Sequence, residues 1–368
     1  MKVLFLIFIG AAAIHFIRYG IVFLRFLYFK QEDDPLNFSD QPVSVLVCAK
    51  NELENLKNLL PKLLKQAYSH FEIIIVDDRS DDGSYEFLKE EKERSENLKL
   101  VRIDFVPDHI HPKKYAITLG IKAASHDLVL LTDADCEPAT IHWIGSMTRQ
   151  FKAETNFVLG FSYYKQARGI LNKLIRYETL LTGSLYLSAA MGGNPYMGIG
   201  RNLGYRKSFF LSVKGFHKDG KAVGGDDDLL VNRHARGKDT RLMIGEQGLV
   251  YSVPKKNWKD FFIQKKRHLS AGKRYKFKDK FLLSFFYVSK IVFWLFGVML
   301  ILLKIHLLET GIAVLVTGIL IYLTYSTVCR RTGIKFEKGW IVPMDILFIV
   351  YISVIGSVAL FSKRIKWS

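Results

Sequence analysis

Cysteine is scarce. Only Cys48, Cys136 and Cys329 occur in 368 residues, far apart and odd in number. They form neither a disulfide framework nor a metal-spaced cluster, and they fit reducing surroundings. There is also no Walker A sequence, no Cys/His zinc spacing and no serine nucleophile elbow. Gly198-Ile199-Gly200-Arg201-Asn202-Leu203-Gly204 nearly imitates a dinucleotide fingerprint. Its last glycine is misplaced, and no strand–helix context surrounds it. No internal repeat or low-complexity stretch is visible. Acids are the minority charge, 35 Asp and Glu against 53 Lys and Arg, which gives +18. With 49% hydrophobic residues and 13% aromatic ones, a disordered chain is excluded. A mean hydropathy of +0.11 is an odd companion to +18 in a nucleic-acid binder. It points instead to separate apolar and basic segments, as in a membrane protein with basic flanks.

The apolar material lies at the two ends. Val3 to Phe29 exceeds the roughly 20 residues that span a bilayer. It lacks a basic start followed by a small-residue cleavage site, so it reads as a retained anchor. His15, Arg18 and Arg25 fall near one helical face. They form either a polar seam toward other helices or headgroups, or merely snorkelling positions. Phe281 to Leu303 carries one charge, Lys290; Leu307 to Val328 and Ile341 to Phe361 are two more spans. The positive-inside rule puts the basic loop Cys329 to Lys335, and the basic stretch before Phe281, in the cytoplasm. The basic tail Ser362-Lys363-Arg364-Ile365-Lys366 opposes that orientation, so the last stretch reads as a span or as an interfacial helix. The resulting division is an anchor at 1–30, a soluble α/β domain at 40–255, a basic interfacial segment at 256–280 and about three helices over 281–368.

Inside 40–255, Val43 to Cys48 is a β-branched run, and Leu53, Leu56, Leu59/Leu60 and Leu63/Leu64 recur at helical spacing. Pro61 is expected to kink or shorten that helix. Phe71 to Val76 is a buried-strand run ending in Asp77-Asp78, Leu98 to Ile103 is another, and Leu128 to Leu131 leads into Thr132-Asp133-Ala134-Asp135. Such alternation predicts a mainly parallel sheet with ligands at the carboxyl ends of its strands.

Asp133 and Asp135, one residue apart after a strand, can both reach a hard divalent cation that also holds phosphate. Solvated turn acids or helix caps are the plainer explanation. Gly224-Gly225-Asp226-Asp227-Asp228 opens a helix expected to end at Gly237. Three adjacent carboxylates repel, so one is expected to have a raised pKa or to face a cation. Such a group suits a general base, although acids also collect at helix starts for dipole reasons. Residues 255–280 hold eleven Lys and Arg against Asp260 and Asp279, a net +9 and half of the whole charge. That stretch can bind anionic headgroups or clamp a pyrophosphate. Few aromatics are spaced along it as nucleic-acid bases would require.

Taken in order over residues 42 to 270, these motifs resemble the family 2 inverting glycosyltransferases with a membrane-bound GT-A domain. Val45 to Glu52, with Ala49, Asn51 and Glu52, looks like the family's first strand and its Asn-Glu. Asp77-Asp78-Arg79-Ser80 looks like its Asp-Asp-x-Ser turn, where an Asp meets the nucleotide base and ribose. Lys113 opens a Lys-x-x-Ala segment in which Thr118 stands where Asn is usual, and Asp133-Ala134-Asp135 matches the metal motif. Gly200 to Arg206, including Gly200 and Asn202, matches the acceptor-side segment. In the family's Glu-Asp motif a Leu follows the base by three and an Arg by six. Leu230 and Arg233 put Asp227 in that register and Asp226 in the Glu place. Gln264-Lys265-Lys266-Arg267-His268 is similar to Gln-x-x-Arg-Trp, with His268 in place of Trp.

The resemblance implies a GT-A fold, Rossmann-like with a mainly parallel sheet, between membrane helices in a ceramide glucosyltransferase-like layout. It implies a hexosyltransferase-type enzyme moving sugar from a nucleoside diphosphate sugar to a hydroxyl of a lipid or lipid-linked acceptor. Asp227 is then the base with Asp226 beside it. Ala49, Asn51, Glu52, Asp77, Asp78, Lys113, Asp133, Gln264 and Arg267 hold the donor; Gly200, Asn202 and His268 face the acceptor. Asp133 and Asp135 bind Mg²⁺ or Mn²⁺. Membrane lipids are expected partners and nucleic acid is not. Compact loops and a single amino-terminal anchor suggest a bacterial plasma membrane with a cytoplasmic catalytic domain. Two rivals stand beside this: a processive polysaccharide synthase, which the missing Trp weakens, and a non-catalytic membrane scaffold with a decayed GT-A domain.

Overall fold

The computed structural model describes residues 2–31, 41–222 and 224–361. The chain divides into two compact units, one of residues 30–165 with 189–254, the other of 1–29, 166–188 and 255–368. The segment 166–188, read from sequence as part of the soluble domain, thus groups with the end helices.

The first unit is built on ten strands: β1 (Val43–Ala49), β2 (Phe71–Asp78), β3 (Leu98–Ile103), β4 (Leu128–Asp133), β5 (Cys136–Pro138), β6 (Phe157–Gly160), β7 (Ser162–Tyr164), β8 (Leu203–Arg206), β9 (Thr240–Met243) and β10 (Val250–Ser252). Seven form one sheet in the order β3-β2-β1-β4-β8-β6-β9, and β5-β10-β7 form a small second sheet. β1 to β4 are parallel, whereas β8 runs antiparallel to both β4 and β6. The helices, counting α1 (Lys2–Tyr28) of the other unit, are α2 (Leu53–Leu64), α3 (Ser84–Arg94), α4 (Pro112–Ala123) and α5 (Trp143–Thr148). Further along come α6 (Ile170–Met191), α7 (Lys207–Ser212) and α8 (Asp228–His234). The apolar runs anticipated as strands are β1 to β4, fully buried along β1 apart from Cys48 and along all of β2. In α2 the spaced residues Leu56, Leu59, Leu60 and Leu63 face the core. Pro61 lies inside this helix, which continues to Leu64. α8 ends at His234, three residues before Gly237, where Ala235 turns to an extended conformation.

The second unit contains α1, most of α6, α9 (Trp258–Gly272), α10 (Phe277–Leu302), α11 (Leu307–Thr332) and α12 (Ile341–Phe361). Four of these helices, α1, α10, α11 and the stretch 338–356, are long and apolar enough to cross a membrane. The basic segment read as 256–280 is α9 plus the first turn of α10, which begins four residues before Phe281. The seam on α1 faces protein. His15 is buried against the rings of Tyr19, Phe286 and Phe293, and Arg25 donates to Ser188 O at 2.7 Å. Arg18 lies over the Phe286 ring.

Lys290, the lone charge noticed in its span, pairs with Asp345 of α12, and both side chains are 0% exposed. The Asp345 carboxylate also accepts from Tyr19, Tyr177 and Trp294. A buried charge persists only when paired and hydrogen-bonded. This network satisfies it and locks α12 among α1, α6 and α10. The basic tail that argued about its orientation lies outside the described residues.

Candidate active site

Strand register brings the acids to one place. Ala49 sits opposite Asp77, and Cys48 opposite Asp133, so β1, β2 and β4 end together. Because β8 is antiparallel and Leu203 pairs with Leu131, it starts where β4 stops. The 3₁₀ turn Gly200–Asn202 therefore lies at the same edge.

The loops after β1 and β2 hold each other. Asn51 N donates to Ser80 Oγ at 2.9 Å, and Asp81 N donates to Asn51 Oδ1 at 2.9 Å. Glu52 N reaches Ser84 Oγ, and Leu53 N reaches Asp82 Oδ2. Asn51 and Arg79 both have φ of 55°, a conformation that costs energy outside glycine and recurs at functional sites. Behind them Asp77 is fully buried, and its Oδ1 has no hydrogen-bond partner among the described residues. Asp78 is buried and accepts from Arg79 Nε at 2.8 Å.

Lys113 joins two of the acidic motifs. From the first turn of α4, its Nζ lies 3.0 Å from Asp133 Oδ1 and 3.3 Å from Asp226 Oδ2. Burial works against its charge, but Asp133, Asp226 and Asp227 outweigh that and hold its pKa well above lysine's usual value. Gly224 and Gly225, with φ of 73° and 72°, make the tight turn into Asp226. Burial alone would raise Asp226; the Lys113 ammonium brings it below the ordinary aspartate value. Asp227 is shifted the other way, raised by burial and then by the Asp226 charge. Its carboxylate caps α8 by accepting from Asp228 N at 2.9 Å, and it also accepts from Gly200 N. The helix-start explanation for these acids is therefore correct as far as it goes. It leaves unexplained why the pair splits into one depressed and one elevated carboxyl.

Asp133, Asp135 and Cys136 have ligand atoms all within 4.8 Å of one another. Burial, then Asp135 and Asp133, push the Cys136 thiol well up, so it stays protonated. The cluster thus presents two hard carboxylates, a donor set suited to Mg²⁺ or Mn²⁺ rather than a soft metal.

Asn202 differs from its expected place facing an acceptor. It is fully buried, accepts from Trp143 Nε1 at 3.0 Å, and donates to Phe161 O and Gly248 O at 2.7 Å each. It pins the turn from behind. Gly200 packs against Asp227: a Cβ there would lie 3.0 Å from Asp227 Oδ2. Gln264, Arg267 and His268 lie on α9 in the other unit. Their helix is held by Lys265, whose Nζ is 2.7 Å from Glu178 Oε2.

Sequence reading passed over Lys114. Its Nζ is completely buried and donates to Asp219 O and Ala222 O at 2.8 Å and to Gly224 O at 2.9 Å. Arg233, already noted for its register, pairs with Asp219 at 2.6 Å. Both cations fasten the segment that leads into Asp226. The local signal was only a lysine doublet at a helix start, and doublets are ordinarily solvated.

The site can therefore offer a raised-pKa carboxyl, a partly exposed lysine between carboxylates and a hard-cation pair at the carboxyl ends of the strands. Comparison with known proteins agrees with this composition. The Glycosyl transferase family 2 profile matches residues 44–213, and the Glycosyl transferase family group 2 profile matches residues 146–360. The chain is 27% identical over 274 residues to the probable glycosyltransferase YdaM of Bacillus subtilis, covering 71% of this chain and 62% of that protein. It is 32% identical over 113 residues to the poly-β-1,6-N-acetyl-D-glucosamine synthase of Staphylococcus epidermidis, or 31% of this chain and 25% of the synthase. It thus spans less than two thirds of the length of these curated relatives. The mannosyltransferase PcManGT from Pyrobaculum calidifontis, solved with GDP-Man and Mn²⁺, superposes with a TM-score of 0.66. That match covers 98% of this chain and 100% of the other at 18% identity, and it shows a shared GT-A fold. The chain belongs to the family 2 glycosyltransferases.

Proposed function

We propose that this glycosyltransferase transfers one sugar, with inversion, from a nucleoside diphosphate sugar to a hydroxyl of a lipid-linked acceptor. The observation that carries the reading is geometric: Asp227, held by Gly200 N and Asp228 N, stands next to Asp226, which Lys113 joins to Asp133. Asp227 takes the acceptor hydroxyl proton as that oxygen attacks the anomeric carbon. The bond from that carbon to the diphosphate oxygen breaks, and its electron pair leaves with the diphosphate. Two backbone N–H groups orient the Asp227 carboxylate, and Lys113 fixes Asp226 and Asp133 relative to it. The free Asp77 Oδ1 suits a donor N–H of the nucleotide base. Asp133 and Asp135 would hold Mg²⁺ or Mn²⁺, which supplies positive charge toward the leaving diphosphate.

The four apolar helices and the basic 255–280 stretch support a membrane-borne acceptor. We place the protein in a bacterial plasma membrane with its catalytic unit cytoplasmic. His268 at the usual Trp position favours single transfer over polymer synthesis, and the retained acids disfavour a scaffold. Purified protein incubated with a panel of nucleotide sugars, Mn²⁺ and membrane lipid extract should release nucleoside diphosphate and form a glycolipid of fixed size. A ladder of products would establish the synthase reading instead. Absence of any thermal shift with every nucleotide sugar, with and without Mn²⁺, would leave the scaffold.

The base has a pH signature. Asp227 works only when ionised, so kcat/KM falls as pH drops through its raised pKa. Because the Asp226 charge is one cause of that rise, Asp226→Asn should move the acid limb to lower pH, whatever it does to the maximum rate. A limb that stays in place would remove Asp226 from the electrostatics of the base.

A further inference from the structure

Arg201 lies inside the segment matched to the acceptor side, yet neither that motif nor the mechanism above gives its side chain a role. It occupies the middle of the Gly200–Asn202 turn, and both neighbours are held: Gly200 N on Asp227, the Asn202 side chain by three hydrogen bonds. The root of its side chain is therefore fixed. Its guanidinium carbon lies 4.5 Å from the ring centroid of Tyr164, the last residue of β7, which is 3% exposed. Stacking engages the flat face of the guanidinium and leaves its edge donors available. One of those, Nη1, is shielded from solvent and has no hydrogen-bond partner among the described residues. Burial opposes the charge, but Tyr164, Cys136, Asp135 and Asp133 together hold the guanidinium pKa above arginine's usual value. The acids of the cation pair are thus its electrostatic neighbours.

An enclosed charged donor without an acceptor is costly, and the cost is removed when a ligand supplies one. The turn that roots it also donates to Asp227 through Gly200 N, and Asp133 and Asp135 are among the charges that act on the guanidinium. An anion with several oxygens matches such a planar fork of donors. We propose that Arg201 binds the sugar-bearing phosphate of the donor and is a further catalytic residue of the transfer. When the anomeric carbon–oxygen bond breaks, the electron pair stays on that phosphate oxygen, and Arg201 donates hydrogen bonds to it without giving up a proton. The assignment rests on the nucleoside diphosphate sugar reading.

The test is binding to the full-length protein in detergent with Mn²⁺, using UDP, GDP and dTDP and their monophosphates. Wild type should bind one diphosphate more tightly than its monophosphate. In Arg201→Met that diphosphate should bind about 10- to 100-fold more weakly, the range of a hydrogen bond to a charged group, with the monophosphate unchanged. Arg201→Lys, which keeps charge but loses the fork, should fall between. An unchanged diphosphate-to-monophosphate ratio in Arg201→Met would make the residue a structural stack on Tyr164 and overturn the assignment. An equal loss for both nucleotides, accompanied by a lower melting temperature, would overturn it too. Failure of wild type to bind any of the six overturns the donor reading itself.

Discussion

Asp227→Asn should slow sugar transfer by about 10²- to 10⁴-fold, the usual worth of a positioned base, while donor affinity stays near that of wild type. The amide matches the carboxylate in size; Gly200 N and Asp228 N donate to different oxygens of Asp227, so the amide keeps an acceptor for one of them and the other loses its partner. The amide cannot take a proton from an attacking hydroxyl. The loss should therefore sit in kcat, with binding of the nucleoside diphosphate measured separately by calorimetry. Removing the negative charge also relieves repulsion with Asp226, which offsets the one acceptor lost to the backbone N–H groups. Wild-type turnover in this variant would remove Asp227 from the chemistry. A large loss of donor affinity would place it instead among the donor's contacts.

Lys114→Met should be the most damaging single change to the folded site. The methionine stem fits where the lysine stem lay, but two buried carbonyls, Asp219 O and Ala222 O, and the partly buried Gly224 O lose their shared donor. Each buried group left unpaired costs about 1–3 kcal/mol, so the total is about 3 kcal/mol or more. The segment concerned runs directly into Gly225 and the two acids, so its loosening also displaces Asp226 and Asp227. A lower melting temperature together with lost transfer is the expected result. Lys114→Arg should not restore either, because a flat fork cannot fit the point where three carbonyls converge. If Lys114→Met melts like wild type, the three carbonyls find other donors and the clamp is dispensable.

Much of the catalytic unit was legible before its structure. β1 to β4 appear as uninterrupted apolar runs because parallel strands are buried on both faces, and such runs stand out against their polar flanks. Acids placed just after those runs, at Asp77/Asp78 and Asp133/Asp135, follow from the same pattern. The apolar end helices announce themselves by length. Less was legible where β8 is concerned. It is four residues long, and its antiparallel insertion beside β4 depends on a chain excursion of some seventy residues. Nothing periodic in Leu203–Arg206 marks that neighbour. Asn202 suffered similarly: a motif can match while the side chain points backward into Trp143.

Charges divided along the same line. Composition revealed that Lys290 lies in an apolar helix, and general physics demands a partner for it. That the partner is Asp345, 55 residues on and shared with two tyrosines and a tryptophan, required the packed helices. Lys113 and Lys114 are adjacent in sequence and alike in charge, yet one bridges two carboxylates and the other gathers three carbonyls. Their separation comes from the helical rotation of about 100° between neighbours, which aims them at different surroundings. Residue type, periodicity and order along the chain were enough for the family, the four parallel strands β1 to β4, the long apolar helices and the acidic candidates, since these depend on local pattern. Which acid is raised, which lysine is structural and which arginine stays without a partner depend on burial and on charges brought together from distant segments. Those are properties of the fold, and tertiary structure alone assigned them.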